Sequence, residues 1–128
     1  MTEGDGYHAH VYYDPTTRLH AEQLRDTIAS RFTVELGIFS DEPRGPHPIS
    51  QFNVIFRSEE FQNIVPWLML NHGNLSVLVH PNTTSPRRDH LEDPIWIGPP
   101  LAVHDEVLPE EAEKEEALPP NTNPVIEP

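Results

Sequence analysis

Four stretches of the chain alternate apolar and polar residues with the two-residue period of a strand, and two stretches between them repeat apolar residues at helical spacing. In residues 7–13, His8, His10 and Tyr12 alternate with Ala9, Val11 and Tyr13, and Asp14-Pro15 ends the run. From about Thr17 to Phe32, Ala21, Leu24, Ile28 and Phe32 form an apolar stripe, with Thr17 placed to cap the first turn. Residues 33–39 alternate Val34, Leu36 and Ile38 against Thr33, Glu35, Gly37 and Phe39, which predicts a second half-buried strand before a Pro-rich loop at 40–50. Gln51 to Arg57 sets Phe52, Val54 and Phe56 against Gln51, Asn53 and Ile55. Ser58 then reads as a helix N-cap, with Glu59 and Glu60 at the positive end of the dipole and Phe61, Ile64, Val65, Leu68 and Met69 as the apolar stripe. Pro66 inside this helix predicts a kink or two short pieces, and Gly73 ends it. Leu75 to His80 is the fourth strand, with Leu75, Val77 and Val79 opposite Ser76, Leu78 and His80.

The order β-α-β-β-α-β predicts an α+β fold, a ferredoxin-like split βαβ sandwich whose four-stranded antiparallel sheet carries two helices on one face. Val11, Leu36, Val54 and Val77 then pack under the helices. His8, His10, Tyr12, Glu35, Gln51, Asn53, Ser76 and His80 fall on the other face. In that topology the end of the fourth strand meets the beginning of the first, so His80 lies beside His8 and His10. Strands about 4.7–4.9 Å apart bring three imidazoles within reach of one ion. Beyond them, Pro81 to Pro94 reads as a long polar loop, and Ile95-Trp96-Ile97-Gly98 as either a fifth strand or a closure over the site.

Composition narrows the chemistry. No cysteine is present among the 128 residues, so a metal must be held by histidine, carboxylate or carbonyl oxygen. Of the net charge of −13, residues 105–128 hold eight acids against one lysine, which leaves −6 for the rest. Two units follow: a folded domain at 1–104 and an acidic, Pro-rich tail at 105–128 too polar to fold alone, expected to be disordered. Lys114 is the only lysine, which argues against a nucleic-acid surface. The start Met-Thr-Glu-Gly-Asp-Gly has no basic-then-apolar pattern and no run of about 20 apolar residues occurs, so a soluble, cytoplasmic protein without membrane contact is expected.

His8 and His10 alone would be better read as a solvated or dimer-covered pair; with His80 they read as metal ligands. His47, stiffened between Pro46 and Pro48, is a candidate catalytic group or a turn histidine, and its loop leaves the sheet at the end opposite His80. Either that loop folds back or a partner subunit supplies it. His90 can reach the site from the loop after the fourth strand, and Arg87 and Arg88 can meet a substrate carboxylate or simply be solvated. Tyr12 and Glu35 share the histidine face, Tyr12 as a substrate contact or acid-base partner and Glu35 more simply as a solvated carboxylate. His20, His72 and His104 read as surface, helix-end and tail residues, and Trp67, Trp96 and Phe39 as core or an apolar pocket wall.

The motifs Tyr7-His8-Ala9-His10-Val11-Tyr12-Tyr13, Gly45-Pro46-His47-Pro48, Trp67-Leu68-Met69-Leu70-Asn71 and Val79-His80-Pro81-Asn82-Thr83, with the later Asp89-His90 and Ile95-Trp96-Ile97-Gly98, resemble the fungal and bacterial DOPA 4,5-dioxygenase family over about residues 7–104. The chain departs from the family after Thr83, where Thr84-Ser85-Pro86 stands in place of a usual glycine. The resemblance implies a small ferredoxin-like homodimer that performs extradiol cleavage of L-DOPA or a related catechol with O2. It further implies a non-haem metal, Fe(II) with zinc or manganese as alternatives, on His8, His10 and His80. Beside what the resemblance implies, His47 or His90 is the candidate acid or base because histidine titrates near neutral pH, and Tyr12, Arg87 and Arg88 are the candidate substrate contacts. A non-catalytic metal- or ligand-binding dimeric module and a cofactor-independent oxygenase are the competing readings.

Overall fold

The computed structural model describes residues 6–110. In chain order it has β1 (Gly6–Tyr12), α1 (Arg18–Arg31), β2 (Glu35–Leu36), β3 (Gln51–Arg57), α2 (Ser58–Asn71), β4 (Ser76–Pro81), α3 (Pro86–Leu91) and β5 (Ile95–Ile97), then a 3-10 turn at Asp105–Val107. The sheet order is β2-β3-β1-β4-β5 with every pairing antiparallel. This is the expected split βαβ arrangement, enlarged by the fifth strand and a third helix. Among the described residues no helix is long and apolar enough to cross a membrane.

One side of the sheet explains the register. Ala9, Val11, Phe52, Val54, Val77 and Val79 meet Ala21, Leu24 and Ile28 of α1 and Ile64, Val65 and Leu68 of α2 in a single buried cluster. Each buried aliphatic side chain contributes roughly 1.5–3 kcal/mol, so both helices are held to this face. A one-residue slip of β1 would put His8 and His10 into that cluster and Ala9 and Val11 outside it.

Several elements differ from the expectation. β2 is two residues long rather than seven: Leu36 pairs with Val54 and Gly37 N–H reaches Asn53 O, but Ser40 bridges to Gln51. The chain has gained one residue on β3 between those points, a bulge that reverses which side each residue faces. Ile38 is therefore 82% exposed, and Phe39 instead packs on the core against Phe52. A Cβ at Gly37 would displace the Asn53 side chain. α2 runs through Pro66 as one helix, with the proline on its exposed side. Met69, assigned to the apolar stripe, is 53% exposed. Arg57 rather than Ser58 precedes the first helical residue of α2. The stretch after β4 is not a plain loop, since it contains α3.

The histidine face is not left bare. The loop at 40–50 folds back over it, α3 closes one side, and the chain after β5 crosses it as a strap. Ser76 Oγ–H donates to Pro99 O at 2.6 Å, His104 N–H to Pro46 O at 2.8 Å and Arg87 N–H to Pro109 O at 3.0 Å. Leu108 is buried on this strap. Asp105, Leu108 and Pro109, from the stretch expected to form the acidic tail, thus contact the rest of the fold, and residues 111–128 lie outside the described ones.

Candidate metal centre

β1 is the central strand, so its polar side is buried as deeply as its apolar side: His8 and His10 are both 5% exposed and His80 on β4 is 2%. His8 and His80 are direct partners across the β1–β4 ladder. Their ring centroids are 5.1 Å apart, and one ring nitrogen from each of His8, His10 and His80 lies within 4.8 Å of the others. Topology and strand parity together account for this meeting of residues 70 positions apart.

The outer nitrogens fix how the inner ones point. His80 Nδ1 lies 2.7 Å from Pro81 O, and a carbonyl oxygen only accepts, so Nδ1 carries the proton. His10 Nδ1 donates likewise to Gln51 Oε1 at 2.9 Å. In the neutral rings both Nε2 atoms therefore present lone pairs, and these face each other at 3.0 Å. Protonating either ring would relieve the repulsion, but burial, reinforced by neighbouring histidines, holds both pKa values well below the usual imidazole value. A metal cation bound between them would relieve it instead. Two bonds of about 2.0–2.1 Å to one ion accommodate such a separation, and the outer bonds to Gln51 and Pro81 are the orienting kind that metal-bound histidines use. The residues present fit a metal ion.

His47 arrives from the folded-back loop of the same chain, which resolves the difficulty its position in sequence posed. Its ring centroid is 4.1 Å from that of His10, and its Nδ1 lies 2.7 Å from the Tyr12 hydroxyl. Burial, with His90 and His8 nearby, lowers the His47 pKa to about 4, and burial raises that of the Tyr12 phenol. His90 stands 4.0 Å from His80 by ring centroids and donates Nδ1–H to Pro86 O at 2.7 Å. His10, His47 and His90 form a second group with donor atoms within 4.8 Å of one another. His10 is common to both groups.

A cavity of about 450 Å³, the size of a small-molecule site, opens over these histidines. The structure does not bring the expected arginines into it. In a helix, positions 86, 89 and 90 share one side, and Pro86, Asp89 and His90 line the cavity while Arg87 and Arg88 point away. Arg87 binds the Asp105 carbonyl and carboxylate, and Arg88 pairs with Asp93. Tyr12 does not line the cavity either; it lies behind His47 and stacks on Trp96. Phe39 and Trp67 belong to the core side, and Glu35, expected to be solvated, is buried.

Other contributors were less visible in the sequence. Gln51, placed on this face by strand parity but given no role, orients His10. Asp89 is 2% exposed and accepts from Thr83 N–H at 2.8 Å and Thr83 Oγ–H at 2.6 Å, a clasp that anchors α3 and so His90. Leu108 and Pro109 line the cavity from a segment whose acidic composition gave no hint of it.

A model of the Dopa 4,5-dioxygenase family matches residues 7–107. The chain is 38% identical to an uncharacterised 21.2 kDa protein of Botryotinia fuckeliana, covering 76% of this chain and 60% of that protein. It is 32% identical to the DOPA 4,5-dioxygenase of Amanita muscaria, covering 80% of this chain and 49% of that protein. It therefore spans about half to three-fifths of the length of these curated relatives. A candidate dioxygenase of Nostoc punctiforme, known from its crystal structure, superposes with a TM-score of 0.80 at 42% identity, covering 81% of this chain and 90% of that one.

Proposed function

The chain belongs to the Dopa 4,5-dioxygenase family, and we propose from this membership and its histidine centre that it is an extradiol catechol dioxygenase. The reaction consumes one catechol and one O2 and places both oxygen atoms in a ring-opened product. The observation that carries this reading is the pair of lone pairs on His10 Nε2 and His80 Nε2 facing each other at 3.0 Å, with His8 beside them.

His8, His10 and His80 would hold the ion. A bound Fe(II) would supply the redox chemistry that lets O2 react with a catechol, and three neutral ligands leave its charge available to favour an anionic catecholate. Everything else falls to the chain. Gln51 and the Pro81 carbonyl keep the ligand nitrogens aimed inward. His90, with Nδ1–H committed to Pro86 O, has Nε2 as its basic nitrogen and accepts the proton that leaves the catechol hydroxyl, then returns it to the product. Burial keeps the Tyr12 phenol protonated, and by donating its O–H to His47 Nδ1 it would leave the His47 proton on Nε2. His47 then donates a hydrogen bond to oxygen as negative charge develops there. The folded-back loop, α3 and the strap restrict water around these groups.

Oxygen uptake after anaerobic loading with Fe(II) tests the reading, with catechol, 4-methylcatechol, L-DOPA and protocatechuate as substrates and absorbance followed in parallel. One O2 consumed per catechol, a yellow ring-opened product and loss of activity on chelation support it. Metal binding without uptake would favour the non-catalytic module, and uptake that survives chelation the cofactor-independent oxygenase.

A further inference from the structure

We infer that the strap after β5 sets substrate choice: Leu108, with Pro109, is the wall that meets the ring substituent of the bound catechol, and it selects an uncharged substituent over a carboxylate. The inference rests on the catechol reading of this site and narrows it.

Three observations lead there. First, the lining includes four apolar residues: Leu108 and Pro109 from the strap, Pro46 from the folded-back loop and Pro86 from α3. Second, the remaining lining groups that are not histidine are neutral amides, Thr83, and the Asp89 carboxylate, which is committed to Thr83. Among the described residues no arginine or lysine lines the cavity. Third, the cations closest in sequence are turned outward and tied down, Arg87 to Asp105 and Arg88 to Asp93. Arg87 also has its backbone N–H on Pro109 O, so the ion pair that removes its charge from the cavity belongs to the contact that seats the strap.

A ring carboxylate set against this wall, away from the histidines, would lose water without meeting an arginine or lysine of the described residues, whereas a methyl or other apolar substituent would gain contact with Leu108. The strap is held at both ends of its crossing, by Pro46 O accepting from His104 N–H and by Pro109 O accepting from Arg87 N–H. The wall is therefore a fixed part of the cavity.

The test is anaerobic calorimetric titration of the Fe(II)-loaded full chain with 4-methylcatechol and with protocatechuate, which reads binding without turnover. The wild type should bind 4-methylcatechol about tenfold or more tightly than protocatechuate. Leu108→Ala should lose about tenfold for 4-methylcatechol and change little for protocatechuate. Leu108→Arg should reverse the preference, with circular dichroism confirming that both variants fold. Equal affinities, or a preference for protocatechuate in the wild type, would overturn the wall while leaving the catechol reading of the site standing. Binding of neither would overturn both. If Leu108→Arg unfolds, Leu108→Ala decides alone: an unchanged ratio overturns the inference.

Discussion

His10 Nε2 and His80 Nε2 face each other at 3.0 Å, and each ring has already committed its proton on the far side, to Gln51 Oε1 and to Pro81 O. This pair could hold a cation between its rings. Its geometry depends on groups outside the ligand set, which yields the first prediction.

Gln51→Leu removes the acceptor that fixes the His10 tautomer. Metal affinity should fall by about 10–100-fold while the fold is retained. Competition titration against a chelator, with circular dichroism of the apo forms, measures both. Unchanged affinity would mean that Gln51 does not orient His10.

His47→Ala and His90→Ala should each keep one equivalent of metal and lose about a hundredfold to ten-thousandfold in kcat. His80→Ala should lose the metal itself. Metal content by emission spectroscopy after desalting separates the two classes. Loss of metal from both His47→Ala and His90→Ala, with retention in His80→Ala, would transfer the site to the competing group of His10, His47 and His90.

The metal-free protein should weaken as pH falls. His10, His47 and His80 have folded-state pKa values depressed chiefly by burial, that of His47 to about 4. Below about pH 6.5 the unfolded chain takes up protons that these buried rings refuse, so stability drops with falling pH. Each of the three contributes a slope of up to about 1.4 kcal/mol per pH unit, and the His47 share levels off once its folded pKa is passed. Urea midpoints measured between about pH 7.5 and about pH 5 check this. A flat profile across that range would contradict it.

Thr83→Val leaves one oxygen of the buried Asp89 carboxylate without its hydroxyl partner. Stability should fall by about 1–3 kcal/mol, and turnover should fall with it because α3 carries His90. Thermal melting and steady-state kinetics on the same preparation give both numbers.

Ile38 and Phe39 show where the sequence was misleading. Simple alternation put Ile38 inside, but one extra residue opposite β3 puts Phe39 there instead. Ile38→Lys should change stability by no more than about 0.5 kcal/mol, whereas Phe39→Ala should cost about 2 kcal/mol or more. Chemical denaturation of the two variants distinguishes them.

Most of the centre was legible because it depends on strand parity and on the split βαβ order. These alone bring His8, His10 and His80 together, and no loop is needed. What was not legible depends on loops and on short helices, whose course is decided by tertiary contacts rather than periodicity. Nothing in Gly45-Pro46-His47-Pro48 says that its loop folds back to reach Tyr12 within one chain. Nor does composition reveal that Leu108, in an acidic stretch, closes the cavity. The arginines were misplaced for a different reason: residue type suggested carboxylate binding, but only the helical phase of α3 shows which side they occupy. Had that short helix been anticipated, its phase would have turned Arg87 and Arg88 outward.

The central claim is that the three histidines support insertion of both atoms of O2 into a catechol. Mass spectrometry of the product formed under isotopically heavy O2 tests it most directly, on Fe(II)-loaded wild type and on His80→Ala. The wild type should give a ring-opened product carrying both heavy oxygen atoms, and His80→Ala no product. A wild-type product with one heavy atom or none, or equal product from His80→Ala, would contradict it.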